Sequence, residues 1–192
     1  MNEKLERIAF VVFEGMTALD FVGVYDPLTR LETMGFRPSL SWNVCALAPG
    51  VTDASGLRIV ADRVGESLAE YDLLVVPGGI PARALANDET YVRWIRTAQP
   101  VRTKASVCTG SLLLGAAGFL AGLRATTHPS AYELLAPYCR EVVKDERVVD
   151  EGNTITARGV TAAIDLGLHL CRRFAGDEVV AQMRVRMDWP YS

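Results

Sequence analysis

The segment Lys104–Gly122, KASVCTGSLLLGAAGFLAG, contains a strand, a sharp turn and an apolar helix in immediate succession. The strand is predicted over 105–107, the turn at Cys108 and the helix from about Gly110. This pattern is typical of a nucleophile elbow, in which serine most often stands where this chain has Cys108. Open α/β sheets place their sites at the carboxyl edge, where such a turn lies. The segment therefore predicts an exposed thiol at the centre of a site.

Strands and helices alternate along the rest of the chain. Apolar runs at 8–13, 42–47 and 72–76 are typical of strands that are covered on both faces. Further short strands are expected at 124–127 and within 51–64 and 141–158, and helices at 21–34, 66–71, 82–98, 129–138, 160–174 and 177–187. The alternation predicts an α/β fold with a mostly parallel sheet between helical layers. With 192 residues and no linker or repeat, we expect a single domain over 1–192.

Composition excludes several classes of partner. Hydrophobic residues make up 49% of the chain, charged residues 22%, and the formal net charge is −3. The chain has no basic footprint, so we expect no nucleic-acid partner. The run 8–13 is too short for the core of a signal peptide, and 107–123 falls short of the roughly 20 residues of a membrane span. We therefore expect no membrane association.

The four cysteines differ in their sequence context. Cys45 lies in a strand, Cys139 near a helix end and Cys171 on a long helix, where a buried thiol behaves as a small hydrophobe. The turn and the following helix amino terminus should instead lower the pKa of Cys108 and favour its thiolate. Without paired short cysteine spacing, and with two histidines, we expect no disulfide framework and no metal site. Free thiols indicate a reducing, cytoplasmic location.

Other residues near the predicted sheet edge are candidates to assist the thiol. The backbone amide of Thr109 and one from Gly78 or Gly79, in the turn after the third strand, are candidate donors for developing negative charge. Asp20 follows the first strand, and its carboxyl either caps the next helix or stands beside the thiol and moves a proton. His128 precedes Pro129 in another loop and is a candidate supporting residue or dyad partner. His169, on a long helix, is assigned a structural role.

Four segments together resemble the ThiJ/PfpI superfamily, a flavodoxin-like branch related to the class I glutamine amidotransferases. They are Asp72–Gly79, Ala105–Gly110, Ala125–Pro129 and Thr156–Gly159, and the resemblance covers nearly the whole chain. The resemblance implies a flavodoxin-like, doubly wound three-layer sandwich with a cysteine nucleophile elbow. It also implies a homodimer.

The segment Phe13–Gly23 looks like the part of the isonitrile hydratases that contributes a catalytic aspartate, and Cys108-Thr109 looks like the cysteine–threonine pair of that subgroup. This resemblance implies that Cys108 forms a thioimidate, that Asp20 is the general acid/base and that Thr109 donates hydrogen bonds. The implied reaction adds water to an isonitrile, a small-molecule substrate, and gives an N-substituted formamide without a cofactor. PfpI-like proteases have histidine where Thr109 stands, and glutamine amidotransferases have a His-x-Glu pattern that His169 does not begin.

Two other functions are compatible with the same residues. One is glyoxalase- or deglycase-like chemistry on reactive carbonyls through Cys108. The other is a non-catalytic domain that senses small molecules or oxidative stress, similar to the amino-terminal domains of AraC-type regulators. A low-pKa thiol in such a domain would be open to oxidation to the sulfinic acid.

Overall fold

The computed structural model describes residues 4–190. In that part of the chain the α-helices are α1 Ala18–Thr33, α2 Ala82–Leu85, α3 Glu89–Arg96, α4 Gly110–Ala116, α5 Tyr132–Leu135, α6 Ala162–Ala175 and α7 Asp177–Arg186. The strands there are β1 Arg7–Val11, β2 Ser41–Ala46, β3 Gly50–Thr52, β4 Arg58–Val60, β5 Arg63–Val64, β6 Leu73–Val76, β7 Thr103–Val107, β8 Arg124–Ala125, β9 Glu141–Val142, β10 Val148–Asp150 and β11 Thr154–Ala157. Short 3-10 helices over Pro129–Ala131 and Ala136–Tyr138 flank α5.

Within residues 4–190, a seven-stranded sheet has the order β10-β11-β7-β6-β1-β2-β5. Every neighbouring pair is parallel except β10 and β11. The chain moves in one direction from β1 to β2 and in the opposite direction from β6 to β7, so right-handed crossovers place α1 and α3 on opposite faces. The predicted α/β fold with a mostly parallel central sheet is confirmed.

Burial on both faces explains the apolar runs of the central strands. All four residues of β6 and all five of β7 are buried, as are 8–13 in and after β1. Helices cover both faces of these strands, so their sequences do not alternate between apolar and polar residues. No helix within 4–190 is both long and apolar enough to cross a membrane.

The predicted helix over 66–71 is wrong, because this segment forms turns. Two of its backbone groups bond to side chains in α3 and at its C-cap. The Leu68 N–H donates to Thr97 Oγ1 at 2.9 Å, and Trp94 Nε1 donates to the Glu66 carbonyl at 2.8 Å. Tertiary partners thus satisfy the groups that a helix would have paired locally.

The predicted helix over 82–98 is divided into α2 and α3. Asp88 lies at the break, and its Oδ1 accepts the N–H groups of Thr90 at 2.8 Å and Tyr91 at 3.1 Å. This is an N-cap, which begins a new helix where the sequence pattern alone suggested a continuous one. The predicted helix over 129–138 is similarly divided into α5 and its flanking 3-10 turns.

The strands that matter for the site are β1, β6, β7 and β11, which are adjacent and parallel. Their carboxyl ends therefore meet at one edge of the sheet. The segments that follow them, 12–17, 77–79, 108–109 and 158–161, come together at that edge. Here doubly wound sheets commonly place a site.

Candidate active site

The turn after β7 is held by hydrogen bonds to its backbone. Cys108 has a φ of 56°, a left-handed conformation that is uncommon for a residue with a Cβ. Its N–H donates to the carbonyls of Ala157 at 3.0 Å and Arg158 at 2.9 Å, and its carbonyl accepts the Thr127 hydroxyl at 2.9 Å. The surrounding loops therefore fix the conformation that the elbow requires.

The Cys108 thiol is buried, and the predicted exposure is wrong. The residue is 6% exposed because the turn after β6 closes tightly over the elbow. A Cβ on Gly78 would lie 2.6 Å from the Thr109 nitrogen and 2.8 Å from the Cys108 Cβ. Only glycine allows the two backbones to approach this closely.

Asp20 is fully buried in the first turn of α1, and its carboxyl is directed at the turn after β6. Oδ2 accepts the Gly78 N–H at 3.0 Å, whereas the N-cap position of α1 belongs to Thr17. The capping alternative therefore does not describe this carboxyl. Oδ1 is buried and has no hydrogen-bond partner of good geometry within residues 4–190, although the carboxyl is close enough to the Cys108 thiol for each to change the other's pKa.

Burial controls the acidity of both groups. It raises the pKa of Asp20 from 3.8 to about 6, although the hydrogen bond from Gly78 and the neighbouring Cys108 thiol act in the opposite direction. Burial and then the Asp20 charge raise the pKa of the Cys108 thiol to about 11, and the amides of Thr109 and Val160 lower it by less. The predicted depression of the thiol pKa is wrong, because desolvation outweighs the helix terminus. At neutral pH the pair consists of a carboxylate and a protonated thiol.

The Thr109 hydroxyl fixes the turn that covers the site. Oγ1 donates to the Gly79 carbonyl at 2.8 Å and accepts the Gly79 N–H at 2.9 Å. The Gly78 N–H is bonded to Asp20, so the structure does not direct either glycine amide at the thiol. The amides that lower the pKa of the thiol are those of Thr109 and Val160.

Val160 is the site residue that sequence reasoning missed. It lies in the loop after β11 with a φ of 39°, and its amide lowers the pKa of the Cys108 thiol. Nothing in its residue type marks such a role, since any residue except proline supplies an amide. The signal that exists is positional, because the loop after β11 is adjacent to the elbow in the sheet order.

The two histidines occupy different environments. His128 is half-buried; its Nδ1 lies 2.8 Å from Ser130 Oγ, and its ring packs on Gly159 beside the site. His169 Nε2 lies 2.7 Å from Asp150 Oδ2. This pair involves none of the residues that contact Cys108. Across 4–190, no three His, Cys, Asp or Glu side chains form a group able to hold a metal ion.

These contacts define what the site can do chemically. A thiol stands near a carboxylate that can take its proton, and two backbone amides favour the charged form of the sulfur. Such an arrangement suits a nucleophile whose proton is transferred as it attacks, with the amides stabilising the charge that develops.

Known proteins are similar to this chain over most of its length. The sequence profile of the DJ-1/PfpI family matches residues 6–173. Isonitrile hydratase of Pseudomonas putida is 38% identical over 184 residues, which are 95% of this chain and 78% of that enzyme. The HTH-type transcriptional regulator CdhR of Pseudomonas aeruginosa is 32% identical over 178 residues, but these cover 91% of this chain and only 52% of the regulator.

Solved structures show the same fold. A ThiJ/PfpI family protein from Pseudomonas syringae has a TM-score of 0.86 and 30% identity, and the match covers 98% of this chain and 77% of that one. Drosophila melanogaster DJ-1beta has a TM-score of 0.83 at 23% identity and covers 98% of this chain and 100% of its own. The predicted resemblance to the ThiJ/PfpI superfamily and its flavodoxin-like fold is confirmed.

Proposed function

The chain belongs to the DJ-1/PfpI family, and we propose that it is an isonitrile hydratase, which adds water to an isonitrile to give an N-substituted formamide. The observation that carries this proposal is the position of the buried Asp20 carboxyl, which accepts the N–H of Gly78, the residue that packs directly against the Cys108 side chain. The Asp20 charge there helps to raise the pKa of the Cys108 thiol. The isonitrile carbon must gain both a nucleophile and a proton, and this pair supplies both. The 38% identity to the hydratase of Pseudomonas putida supports the same reaction.

The first half of the proposed reaction forms a thioimidate. The Cys108 sulfur attacks the terminal carbon of the isonitrile while the thiol proton passes to the Asp20 carboxylate. Asp20 then delivers this proton to the same carbon, so that R–N≡C and the thiol become R–N=CH–S–Cys108. The amides of Thr109 and Val160 stabilise the negative charge on sulfur as it develops.

The second half hydrolyses the thioimidate. Asp20, again a carboxylate, takes a proton from water as the water oxygen adds to the thioimidate carbon, and it passes this proton to the nitrogen. The C–S bond breaks as the remaining hydroxyl proton returns through Asp20 to the Cys108 sulfur. The formamide leaves, and both residues are restored to their initial protonation states.

The direct test uses purified protein and cyclohexyl isocyanide, with formation of the formamide followed by mass spectrometry. We expect turnover by the wild type and none by Cys108→Ala. Full activity in Cys108→Ala would contradict the mechanism, and absence of wild-type turnover would contradict the substrate. Thermal unfolding of both proteins shows whether the variant is folded.

A second candidate is a sensing domain that binds a small molecule without converting it. The similarity to the regulator CdhR favours it, although this chain spans about half of that protein. Tight binding of the isocyanide without turnover, unchanged by Asp20→Asn, would support sensing over catalysis. Consumption of methylglyoxal without isocyanide turnover would favour the glyoxalase-like reaction instead.

The homodimer and the cytoplasmic location remain predictions. Light scattering of the purified protein measures the first, and fractionation of cells measures the second.

A further inference from the structure

A chain of hydrogen bonds runs from α2 to the loops around Cys108. Arg83 Nη2 donates to Ser130 Oγ at 2.9 Å, and this oxygen lies 2.8 Å from His128 Nδ1. The backbone N–H of Ser130 also donates to His128 Nδ1, at 3.2 Å. Neither the sequence pattern nor the proposed reaction assigns a role to Arg83 or Ser130.

These bonds determine which imidazole nitrogen carries the proton. An N–H donor can bond to Nδ1 only when Nδ1 presents its lone pair, so the neutral ring is protonated on Nε2. Arg83 has donors only, and it therefore occupies a lone pair of Ser130 Oγ and leaves the hydroxyl hydrogen free to point at Nδ1. Both donors of Ser130 thus favour the same tautomer of His128.

The His128 ring, which these hydrogen bonds hold, lies between residues that contact the elbow. Thr127, the preceding residue, donates its hydroxyl to the Cys108 carbonyl. The opposite edge of the ring packs on Gly159, where a Cβ would lie 2.4 Å from His128 Cδ2 and 3.3 Å from Nε2. The residue before Gly159, Arg158, accepts the Cys108 N–H at 2.9 Å. Nε2 therefore lies along the loop that lines the site.

We propose that Arg83 and Ser130 are positioning residues, which hold His128 as the Nε2–H tautomer so that it presents a hydrogen-bond donor, and not a base, beside this loop. The tautomer follows from the hydrogen bonds alone, whereas its consequence for turnover rests on the proposed function. A neutral imidazole with its lone pair turned to Ser130 cannot take the Cys108 proton through Nε2. Proton transfer at the sulfur is then left to Asp20, and the cysteine–histidine dyad is excluded in this tautomer.

Nitrogen-15 NMR of the full chain tests the tautomer directly. The sequence contains two histidines, so two imidazole systems are expected, and His169→Gln assigns them. Spectra recorded at alkaline pH, where histidine side chains are neutral, should show a pyridine-type Nδ1 and a pyrrole-type Nε2 for His128. A pyrrole-type Nδ1 in the wild type would overturn the proposal.

Ser130→Ala removes the hydroxyl and its link to Arg83 but keeps the backbone N–H. We expect a shift of the His128 Nδ1 resonance and a partial population of the Nδ1–H tautomer, with recovery in Ser130→Thr. The His169 signals, which report a ring paired with Asp150, should not move and serve as the internal control for folding. An unchanged His128 spectrum in Ser130→Ala would contradict a positioning role.

Kinetics give a second, separate measurement. In an active enzyme, loss of one such hydrogen bond should lower kcat by roughly 2- to 10-fold with little change in KM. Ser130→Ala and Arg83→Met should both show this decrease, and Ser130→Thr should recover most of the activity. An unchanged kcat in both variants would overturn the link to turnover. If the wild type does not hydrate isocyanides, the proposed function fails, but the NMR result still confirms or overturns the tautomer.

Discussion

Two buried thiols, Cys108 and Cys45, are carried by the same sheet, Cys108 in the turn after β7 and Cys45 in β2, and they look alike by the usual criteria. Cys108 is 6% exposed and Cys45 1%, and burial is the main reason why the pKa of each is raised to about 11. Cys108 follows β7 and Cys45 lies near the end of β2, both towards the carboxyl edge. Neither exposure nor acidity separates the candidate nucleophile from a core residue.

The residues around each thiol distinguish Cys108 from Cys45. Beside Cys108 stand the Asp20 carboxyl and the amides of Thr109 and Val160. Cys45 contacts the Tyr71 hydroxyl at 3.6 Å, and burial raises the pKa of that phenol. A protonated phenol cannot take a proton from a thiol near neutral pH, whereas an ionised carboxylate can. On the proposed mechanism, what distinguishes the candidate nucleophile is therefore a nearby proton acceptor, not a low pKa in the resting state.

Replacing each thiol with a hydroxyl should give the greatest difference in activity between the two sites. We expect Cys108→Ser to lower kcat/KM for cyclohexyl isocyanide on the order of 10⁴-fold, because the nucleophile and its partner act as a unit. Cys45→Ser should keep activity close to that of the wild type, since no reacting group depends on it. Steady-state kinetics on the two folded variants make the comparison. Equal losses in both would show that the effect comes from disturbed packing.

Removing the proton acceptor should be nearly as damaging. Asp20→Asn keeps an oxygen for the Gly78 N–H but cannot take the thiol proton, and we expect a loss of about 10²- to 10⁴-fold. In the wild type, kcat/KM should fall below a midpoint of about pH 6, because protonated Asp20 no longer accepts a proton. The residual activity of Asp20→Asn should lack this acid limb.

Tyr71→Phe is the matched control for that change, because it removes the polar neighbour of the other thiol. Its pH–rate profile should coincide with that of the wild type. A profile with the same acid limb in Asp20→Asn would assign the limb to another group and contradict the role of Asp20.

The sequence was sufficient to predict the parts of this site that depend on local pattern and topology. The elbow at Cys108 follows from a strand, a turn and a helix in succession. The proximity of Asp20 and Gly78 to it follows from parallel strands, whose carboxyl ends share an edge. These predictions needed no knowledge of side-chain packing.

The rest depends on how closely distant segments approach one another. The thiol was expected to be exposed and acidic, but the glycine turn at 77–79 covers it and desolvation raises its pKa. The amide of Val160 is invisible in a sequence, because its role comes from backbone direction. The bond between the Gly79 N–H and Thr109 likewise could not be foreseen, since either group had other partners available.

A methyl group added in the turn after β6 and another added in β3 test how tightly these two segments are packed. In Gly78→Ala the new Cβ would lie 2.6 Å from the Thr109 nitrogen, and backbone atoms cannot move aside cheaply. We expect the free energy of unfolding to fall by about 1–3 kcal/mol or more, with loss of activity. In Gly50→Ala, five residues after Cys45 in the sequence, the new Cβ would meet its nearest atom at 3.4 Å, and the change should cost much less. Urea unfolding measures both, and equal stability of the two variants would contradict the tight contact at the elbow.

Replacing the polar neighbour of each thiol should change the free energy of unfolding in opposite directions, with a gain in Asp20→Asn and a loss in Tyr71→Phe. The pKa of Asp20 rises from 3.8 in the unfolded chain to about 6 in the folded one, so its contribution to stability is full below about pH 4 and is lost as the pH rises through 6. At about 1.4 kcal/mol per pH unit this loss is at most about 3 kcal/mol. Because asparagine is itself polar and buried here, Asp20→Asn should be more stable than the wild type by about 1–2 kcal/mol at about pH 8, and the difference should vanish near pH 4.

Tyr71→Phe should instead be less stable by about 1 kcal/mol, because the hydroxyl donates to Asn43 Oδ1 at 3.0 Å. This loss should not vary over the same pH range, since the phenol stays protonated throughout. Urea unfolding at several pH values gives both curves. A destabilised Asp20→Asn at about pH 8 would mean that hydrogen bonding to the carboxylate outweighs its desolvation. The gain in stability would then be absent, and the Asp20 charge could not be described as one that the fold keeps at a cost in stability.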